Sequence, residues 1–573
     1  MIKPIFTFAL FILCILSFRA QQMKTPYEKG NGNQTTTYSE MIQFFDELDK
    51  RHKTIKIETL GEDDNGEPII LVLYSADGNF NLQRDDKSVL LINNGIHPGE
   101  PDGIDASMMM LRDFAEGKLT GPKNIIIANI AAYNIGGMLN RSSYSRANQN
   151  GPEQYGFRGN ARNYDLNRDF IKADSKNAVS FQKILHYTKP IYFIDNHVSN
   201  GADYQYTFTY ISTNRNRLGE PLGSFLHEEM QPAILKKLTE KNILHVPYVN
   251  IHGDTPDAGF AAFMDTPRYA TGYTSLFNIP GTVVETHMLK PYDTRVAVTK
   301  EYMLSTIDYL EKNREKVRAK QKENLINFQQ NLKYPIQWKV DSTLSSKFDF
   351  KGFEAGYKPS EISGATRLYY DRSKPFSKKI SFYNTYEVVK TIDVPRFYVV
   401  PQSEWQVIEH LKRNDIQLKS LHADSLVAAQ LYYIDDFQTV KSPYEGHYLH
   451  FDTRVKTSSE QLRLRKGDYL ISTKQNGIHY LLETLEPEAV DSFFNWNFFD
   501  AILGQKEYYS PYVFEDTAAE LFRKNPSLKT EFEKRKATDA AFAKNPAAQL
   551  DWVYKNSAYF EKTLRRYPIY RIL

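Results

Sequence analysis

The sequence has almost no cysteine: among its 573 residues the only one is Cys14. The chain after Cys14 therefore contains no thiol, which excludes disulfide bonds, thiolate metal ligands and cysteine nucleophiles from that part. Any metal ion bound there must be held by histidine, aspartate or glutamate.

The sequence also lacks an excess of either charge. It has 72 Lys and Arg against 69 Asp and Glu, a net charge of +3, and the two signs are mixed along the chain. We find no basic patch that would bind nucleic acid or an anionic membrane. No motif recurs at a fixed spacing, which argues against a solenoid or a propeller. A hydrophobic content of 41% with 25% charged residues is typical of a globular protein, and the length is enough for two or three folded units.

Long apolar runs are missing except for Ile5 to Ser17. This run of about thirteen residues is shorter than the roughly twenty needed to cross a bilayer. Lys3 before it and Ala20 after it predict a signal peptide over residues 1–20, and therefore a secreted or periplasmic protein with no membrane span. The alternative is a buried N-terminal helix. Cys14 lies inside the run, so we do not expect lipidation at this residue.

The order of apolar and amphipathic segments in the first half predicts the fold class. A helical pattern covers Tyr38 to Lys50, and strand-like segments flank Asn65-Gly66. The apolar strand that includes Val89 to Ile92 leads through a loop to a helical pattern at Ile104 to Phe114, and another apolar strand follows. This order predicts an α/β fold, with a mixed, mostly parallel twisted sheet and helices on both faces.

Residues capable of binding a metal follow three of the predicted strands. His97 and Glu100 lie three residues apart in one loop and offer the nitrogen and oxygen ligands that Zn²⁺ accepts. About one such pair is expected by chance, so a surface turn at Pro98-Gly99 is the alternative. His197 and Glu285 lie at the ends of two other apolar strands. Because the carboxyl ends of parallel strands meet at one edge, these residues predict a metal site.

An irregular segment rich in Arg and Asn lies between these strands. Tyr133 to Phe157 predicts a long loop, and residues 158–168 then contain three Arg and three Asn. Guanidinium groups bind carboxylates with geometric selectivity, so this segment predicts an anion-binding site. A solvated loop is the alternative.

Taken together, these motifs resemble the zinc carboxypeptidases of the carboxypeptidase A type, the funnelins. The resemblance extends from about Tyr38 to Asn331, and Arg158 stands nine residues before Asn167, within Asp-Leu-Asn-Arg. The matching residues occur in the family's order: His97, Glu100, Arg158, Asn167, Arg168, His197 and Glu285.

The resemblance implies a peptidase centre with one Zn²⁺ per chain. His97, Glu100 and His197 would hold the metal. Glu285 would be the general base, and Arg158 would stabilise the oxyanion. Arg141 and Arg146 compete with Arg158 for that role, but Arg158 has the spacing of the family.

Further residues follow from the same resemblance. Asn167 and Arg168 would bind the free carboxylate of a peptide substrate, and Asp165 would orient a ligand histidine. The family often has a mobile tyrosine in the loop before the catalytic glutamate. Tyr269 and Tyr273 both fall in this loop, and we choose Tyr273. His287 is expected to be structural.

The second half of the chain carries no chemical motif. A long charged helix is predicted from Thr299 to Leu332, and Tyr334-Pro335 ends it. The predicted domains are a catalytic domain at residues 21–333, a β-rich accessory domain at 334–485 and a mostly helical region at 486–573. Their many apolar and aromatic residues predict a module packed on the peptidase rather than a flexible appendage.

The sequence thus predicts a secreted or periplasmic zinc metallocarboxypeptidase whose partner is a peptide or peptide-like substrate with a free carboxylate. One alternative is a zinc amidase of the same fold that acts on peptidoglycan stem peptides or N-acyl amino acids. Another, of a different class, is an inactive peptidase-like protein that binds glycans or protein. Retention of every metal ligand, Glu285 and Arg158 argues against the second alternative.

Overall fold

The computed structural model of the chain describes residues 23–251 and 253–573. The predicted signal peptide at residues 1–20 lies outside these ranges. Within them, no helix is both long enough and apolar enough to cross a membrane.

The described residues form two units. The first consists of residues up to Val394 together with Glu409–Gln417 and Thr473–Asp491, and the second consists of Pro395–Ile408, Leu418–Ser472 and Ser492–Leu573. The chain therefore leaves the first unit and returns to it twice. The predicted domain boundaries at residues 333 and 485 do not coincide with the boundaries of these two units. The three predicted domains stay a prediction.

The strands of the described residues are numbered in chain order. They are β1 (Ile55–Glu62), β2 (Pro68–Tyr74), β3 (Ser88–Asn93), β4 (Ile125–Ile130), β5 (Tyr192–Ser199), β6 (Phe208–Ser212), β7 (His245–Pro247), β8 (Asn250–Ile251), β9 (Phe260–Ala261), β10 (Gly281–His287), β11 (Lys333–Val340), β12 (Ser346–Pro359), β13 (Thr366–Tyr383), β14 (Tyr386–Asp393), β15 (Phe397–Val400), β16 (Lys419–Ser420), β17 (Ser425–Thr439), β18 (His450–Leu464), β19 (Tyr469–Ser472) and β20 (Tyr570–Ile572).

The α-helices are named by their residues. They are Pro26–Lys29, Tyr38–Arg51, Asp102–Ala115, Ile135–Leu139, Lys176–Thr188, Arg215–Leu218, Leu222–Phe225, Gln231–Glu240, Ala270–Ser275, Tyr292–Gln330, Trp405–Arg413, Ile478–Leu485, Pro511–Lys524, Pro526–Thr538, Ala540–Ala543 and Pro546–Lys555.

An eight-stranded sheet in the order β1-β2-β4-β3-β5-β10-β6-β7 organises the first unit. The central strands β4, β3, β5 and β10 run parallel to one another. Strand β2 is antiparallel to β4, β1 to β2, and β6 to β10, whereas β7 is parallel to β6. The predicted mixed, mostly parallel sheet in an α/β fold is therefore confirmed.

Helices cover both faces of this sheet. Leu90 and Ile92 of β3 belong to a core that also includes residues of the helices Asp102–Ala115 and Tyr292–Gln330. Phe193 of β5 contacts Phe181 of the helix Lys176–Thr188, with ring centroids 5.8 Å apart. Because both faces are covered, β3, β4 and β5 are buried along their whole length, and β3 and β4 are almost continuously apolar.

Two smaller sheets complete the first unit. Strands β12, β13, β9 and β8 form one of them, and β11 pairs with β14 in the other. Phe260, Phe350 and Ile380 form part of the core of the four-stranded sheet, together with Tyr204 and Tyr206.

The second unit combines a sheet with a helical cluster. Its six strands have the order β16-β19-β15-β20-β17-β18, and Val399 and Leu431 are buried in this sheet. Phe514, Phe532 and Val553 form the core of the helices between residues 511 and 555. Both β-rich and helical structure therefore occur in the second half of the chain.

Candidate metal centre

The loop after β3 brings His97 and Glu100 to the carboxyl edge of the central strands. Gly95 adopts a φ of +64°, which glycine reaches without strain. Gly103, in the first turn of the following helix, packs so closely on the sheet that an added Cβ would lie 2.4 Å from Asn196 Cβ. Small residues therefore let the helix approach β5 and fix the loop between them.

Three buried side chains converge at this edge. His97, Glu100 and His197 could together hold a metal ion, because one ligand atom from each lies within 4.8 Å of the others. Their residues are only 2–3% exposed. The structure thus brings together the three residues that the sequence predicted as ligands.

The two histidines are oriented in the same way, each by an aspartate. Nε2 of His97 donates to Asp165 Oδ1 and Nε2 of His197 donates to Asp195 Oδ2, both over 2.9 Å. Asn93 Nδ2 in turn donates to Asp195 Oδ1 over 2.9 Å. With Nε2 protonated, each ring keeps its lone pair on Nδ1.

Both Nδ1 atoms face the carboxylate of Glu100. Nδ1 of His97 lies 3.3 Å from Glu100 Oε1, and Nδ1 of His197 lies 3.2 Å from Oε2. Nδ1 of His97 is buried, and no hydrogen-bond partner for it exists among the residues described. Two imidazole nitrogens and a carboxylate, each histidine held by a carboxylate behind it, are the donor set of many catalytic zinc sites. The residues present therefore fit a metal ion.

Positive charge surrounds Glu100. Arg146 Nη1 donates to Glu100 Oε1 over 2.6 Å, and the amide of Val198 donates to Oε2 over 2.9 Å. Burial alone would raise the pKa of Glu100, but Arg146 and the histidines hold it well below its usual range. Glu100 is therefore a carboxylate.

Glu285 stands beside the cluster on the neighbouring strand. In the parallel pairing of β10 with β5, Glu285 lies directly opposite His197. Burial raises the pKa of Glu285 and the Glu100 charge raises it further, while His197, Arg146 and Arg158 lower it; the pKa remains above its ordinary value. A carboxylate with a raised pKa is a better proton acceptor than an ordinary one.

The cluster opens into a cavity of about 270 Å³. Its lining includes the three candidate ligands, Glu285 and a set of polar and aromatic residues: Arg146, Arg158, Asn167, Arg168, Tyr248, Asp265 and Tyr269. A volume of this size is comparable to that of a small pocket for one residue of a substrate.

The three candidate arginines have different surroundings. Arg158 donates from Nε to Asp165 Oδ2 over 3.0 Å, and its side chain is 46% exposed. Arg146 also lines the cavity but is bound to Glu100. Arg141 donates to the backbone oxygens of Thr35 and Thr36 and does not line the cavity. The geometry therefore separates Arg158 and Arg146 from Arg141.

Asn167 and Arg168 form a short turn on the cavity wall. The Asp165 carboxylate accepts from the amide of Asn167 over 2.9 Å, and the Asn167 side-chain oxygen accepts from the amide of Ala270 over 3.3 Å. The guanidinium of Arg168 stacks over the ring of Tyr269 at 4.5 Å. The turn is thus tied to the loop in front of β10.

Of the two tyrosines in the loop before β10, Tyr269 lines the cavity and Tyr273 does not. Tyr273, the residue chosen from the sequence, is fully buried, donates to the side-chain oxygen of Asn414 and does not line the cavity. Tyr269 does line it. His287 is also buried and is bonded to the Ala202 carbonyl over 2.9 Å, as expected for a structural residue.

In the comparison with known proteins, the chain is similar to solved structures only. No family model matches the chain, and no curated protein matches it. The similar solved structures include metallo-carboxypeptidases.

Three of them illustrate the extent of the similarity. The metallo-carboxypeptidase of Burkholderia cenocepacia is 14% identical, with 48% of this chain and 70% of that chain covered and a TM-score of 0.36. The Pseudomonas aeruginosa metallo-carboxypeptidase is 13% identical, with 49% of this chain and 70% of that chain covered and a TM-score of 0.35. Carboxypeptidase A of Helicoverpa armigera is 13% identical, with 54% of this chain and 79% of that chain covered and a TM-score of 0.36.

Several residues in and around the site were missed in the sequence. Asp195 orients His197, and its position two residues earlier on the same strand face was the available signal. Tyr248 lies between β7 and β8, lines the cavity, and was not among the predicted site residues. Asp265 is 1% exposed, accepts from the amide of Asn214 over 3.1 Å with Oδ1, and has no hydrogen-bond partner for Oδ2 within the described ranges.

Proposed function

We propose that this protein is a zinc-dependent metallocarboxypeptidase that hydrolyses the C-terminal bond of peptides. The observation that supports this most is the orientation of two histidine Nδ1 atoms toward one buried carboxylate, with Glu285 on the adjacent strand. Secretion or a periplasmic location stays a prediction.

His97, Glu100 and His197 would hold one Zn²⁺. When bound, zinc acidifies a water molecule and polarises a carbonyl group. Asp165 and Asp195 would keep both rings in the tautomer that leaves Nδ1 free, because each accepts from the opposite nitrogen.

Glu285 would serve as the general base. Its side chain lines the cavity beside His197, and its raised pKa suits a group that accepts a proton from water and then delivers it to the leaving amine. Asp165 and Asp195 are instead engaged with the histidines. Asp265 also lines the cavity and has a raised pKa, but it does not lie on β10, the strand that pairs with His197.

Arg158 would stabilise the oxyanion. Its guanidinium is partly open to the cavity and is anchored by Asp165, so a charged donor is held in place before the substrate arrives. Arg146 would instead balance the charge of Glu100, to which it is bonded over 2.6 Å.

Asn167 and Arg168 would bind the free carboxylate of the substrate. A guanidinium and an amide side by side supply donors to both carboxylate oxygens. Tyr269, stacked on Arg168, would limit the directions from which a carboxylate can approach. This pair restricts cleavage to the last peptide bond.

Asp265 would influence which end residue is preferred. Its carboxylate lies in the cavity wall, with one oxygen that accepts no hydrogen bond within the described residues. We expect end residues that donate hydrogen bonds or carry positive charge to be preferred.

The test is zinc analysis of the purified protein combined with release of amino acids from a peptide library. We expect about one zinc per chain and release from free C-termini that a chelator abolishes and zinc restores. The same peptides with amidated C-termini are the matched control and should not be cleaved. Zinc without amino-acid release would favour the amidase, and absence of zinc would favour the binding protein.

A further inference from the structure

The loop that carries Tyr269 is held by segments that lie far along the chain. Residues 265–277 include Tyr269, Ala270 and Thr271 of the cavity wall and the helix Ala270–Ser275. Residues from both segments that return to the first unit, Glu409–Gln417 and Thr473–Asp491, bond to this loop on its two sides.

Before Tyr269, the contact is a buried ion pair. Asp491 accepts from the backbone amide of Arg268 over 3.0 Å, from its Nε over 2.7 Å, and lies 2.7 Å from its Nη2. The Asp491 side chain is fully buried and that of Arg268 is 13% exposed. One carboxylate thus fixes both the backbone and the side chain of the residue next to Tyr269.

After Tyr269, the contacts are a hydrogen-bond chain and a ring stack. Tyr273 donates to Asn414 Oδ1, and Asn414 Nδ2 donates to the hydroxyl of Tyr480 over 3.0 Å. The ring of Phe277 stacks on that of Tyr480 with centroids 5.6 Å apart. The second side of the loop therefore rests on Asn414 and Tyr480.

The returning segment is itself firmly anchored. Every residue of the helix Ile478–Leu485 is buried. Glu483 accepts from the hydroxyl of Tyr334 over 2.9 Å and lies 3.3 Å from Arg217 Nη2. Because the segment has these separate attachments, Asp491 is a fixed point against which Arg268 can be held.

We propose that Asp491 is a positioning residue of the candidate active site, which holds Tyr269 over Arg168 through its bonds to Arg268. The stack of Arg168 on Tyr269, at 4.5 Å, is the contact through which Asp491 would act. The consequence for substrate affinity rests on the proposed function, whereas the consequence for the loop does not.

The first test replaces Asp491 by Asn, which keeps the size of the side chain and removes its charge. Hydrogen exchange, followed by mass spectrometry, should become faster in residues 265–277 of the full-length protein and stay unchanged in the helix Asp102–Ala115. KM for a cleaved peptide should rise about tenfold, the size of one charge-assisted hydrogen bond, with kcat and zinc content retained.

The matched control is Asp113→Asn. Asp113 also pairs with an arginine, Arg112, and its side chain is 13% exposed. It lies near the end of the helix Asp102–Ala115 and does not line the cavity. This variant should lose thermal stability without a change in KM or in exchange of the loop. If both variants behave alike, Asp491 has a general structural role and the inference is overturned.

A milder variant, Arg268→Lys, covers the case in which Asp491→Asn does not fold. Lysine keeps the charge but cannot bind the Asp491 carboxylate through two nitrogens, so loop exchange and KM should change in the same direction but by less. Unchanged loop exchange in either folded variant would overturn the inference. If the wild-type protein cleaves no peptide, the proposed function fails, but the exchange measurement still decides the role of Asp491.

Discussion

Glu285 is the residue whose replacement tests the chemistry most directly. Glu285→Gln removes the proton acceptor but none of the three metal ligands, so zinc content should stay the same while kcat falls by about 10²–10⁴. Zinc analysis and kinetics on one preparation measure both. Ordinary turnover in this variant would exclude Glu285 as the base.

Asp195 offers a second test at the level of single residues. Asp195→Asn should weaken zinc binding by about 10- to 100-fold, because the ring of His197 is no longer held in one tautomer. Asp165→Asn is the matched variant for His97. Competition with a chelator gives the affinities, and His197→Ala should lower them further. An unchanged zinc affinity in Asp195→Asn would mean that the bond to His197 has no influence on the metal.

Asp265 gives the protein a predictable response to pH. Burial raises the pKa of Asp265 from 3.8 to about 6, although Arg217 opposes the shift. The folded state therefore binds this proton more tightly than the unfolded state, so the group's stabilising contribution is complete below about pH 4 and is lost as pH rises through about 6. Asp265→Asn should be the more stable protein above pH 6, by at most about 3 kcal/mol, and the difference should shrink toward pH 4. Thermal unfolding at several pH values checks both.

The predicted ligands could be found from the sequence because each belongs to an apolar strand or to the loop after one. Their places within the elements were less predictable. The strands β5 and β10 continue beyond His197 and Glu285, to Ser199 and His287. In β5 the polar end is held by bonds such as that from Asn93 to Asp195. The long helix begins at Tyr292 rather than Thr299, since Pro291 precedes it and Tyr292 is buried against Asp105.

The close packing of the helix Asp102–Ala115 on the sheet requires a glycine at position 103. An added Cβ at Gly103 would lie 2.4 Å from Asn196 Cβ and 2.5 Å from Asn94 Oδ1. Gly103→Ala should therefore cost about 1–3 kcal/mol and weaken zinc binding, because the helix must move and the loop with it. Gly117→Ala is the control: its φ of +72° makes the change costly, but no atom lies within 4 Å. Chemical denaturation measures the loss of stability in both variants, and zinc titration shows whether the helix and its loop have moved. Equal zinc affinity in Gly103→Ala and Gly117→Ala would refute the argument.

The choice between Tyr269 and Tyr273 shows where local sequence information ends. Both tyrosines lie in one loop, and the one that faces inward is selected by Asn414, which is more than a hundred residues away. Likewise, no local pattern marks Glu409–Gln417 or Thr473–Asp491 as parts of the first unit, because their burial depends on contacts with distant residues. Motifs identify the chemistry, but the supports around it follow from the tertiary structure.

The interleaving of the two units predicts that the first unit cannot be cut out at the end of its long helix. A chain ended at Lys333 would lose Glu483, the partner of the buried Arg217, and Asp491, the buried partner of Arg268. Leaving one buried charge unpaired costs about 3–5 kcal/mol, a large part of the stability of an ordinary domain.

We therefore expect the truncated chain to be insoluble or to unfold at a much lower temperature than the full-length protein. Glu483→Gln in the full-length protein should reproduce part of this loss, and Arg217→Met together with Glu483→Leu should recover some of it, because no charge then remains unpaired. Differential scanning calorimetry of these proteins measures each step. A soluble truncated chain with full thermal stability and full zinc content would contradict this prediction. It would show that the candidate active site does not depend on the two segments that return to the first unit.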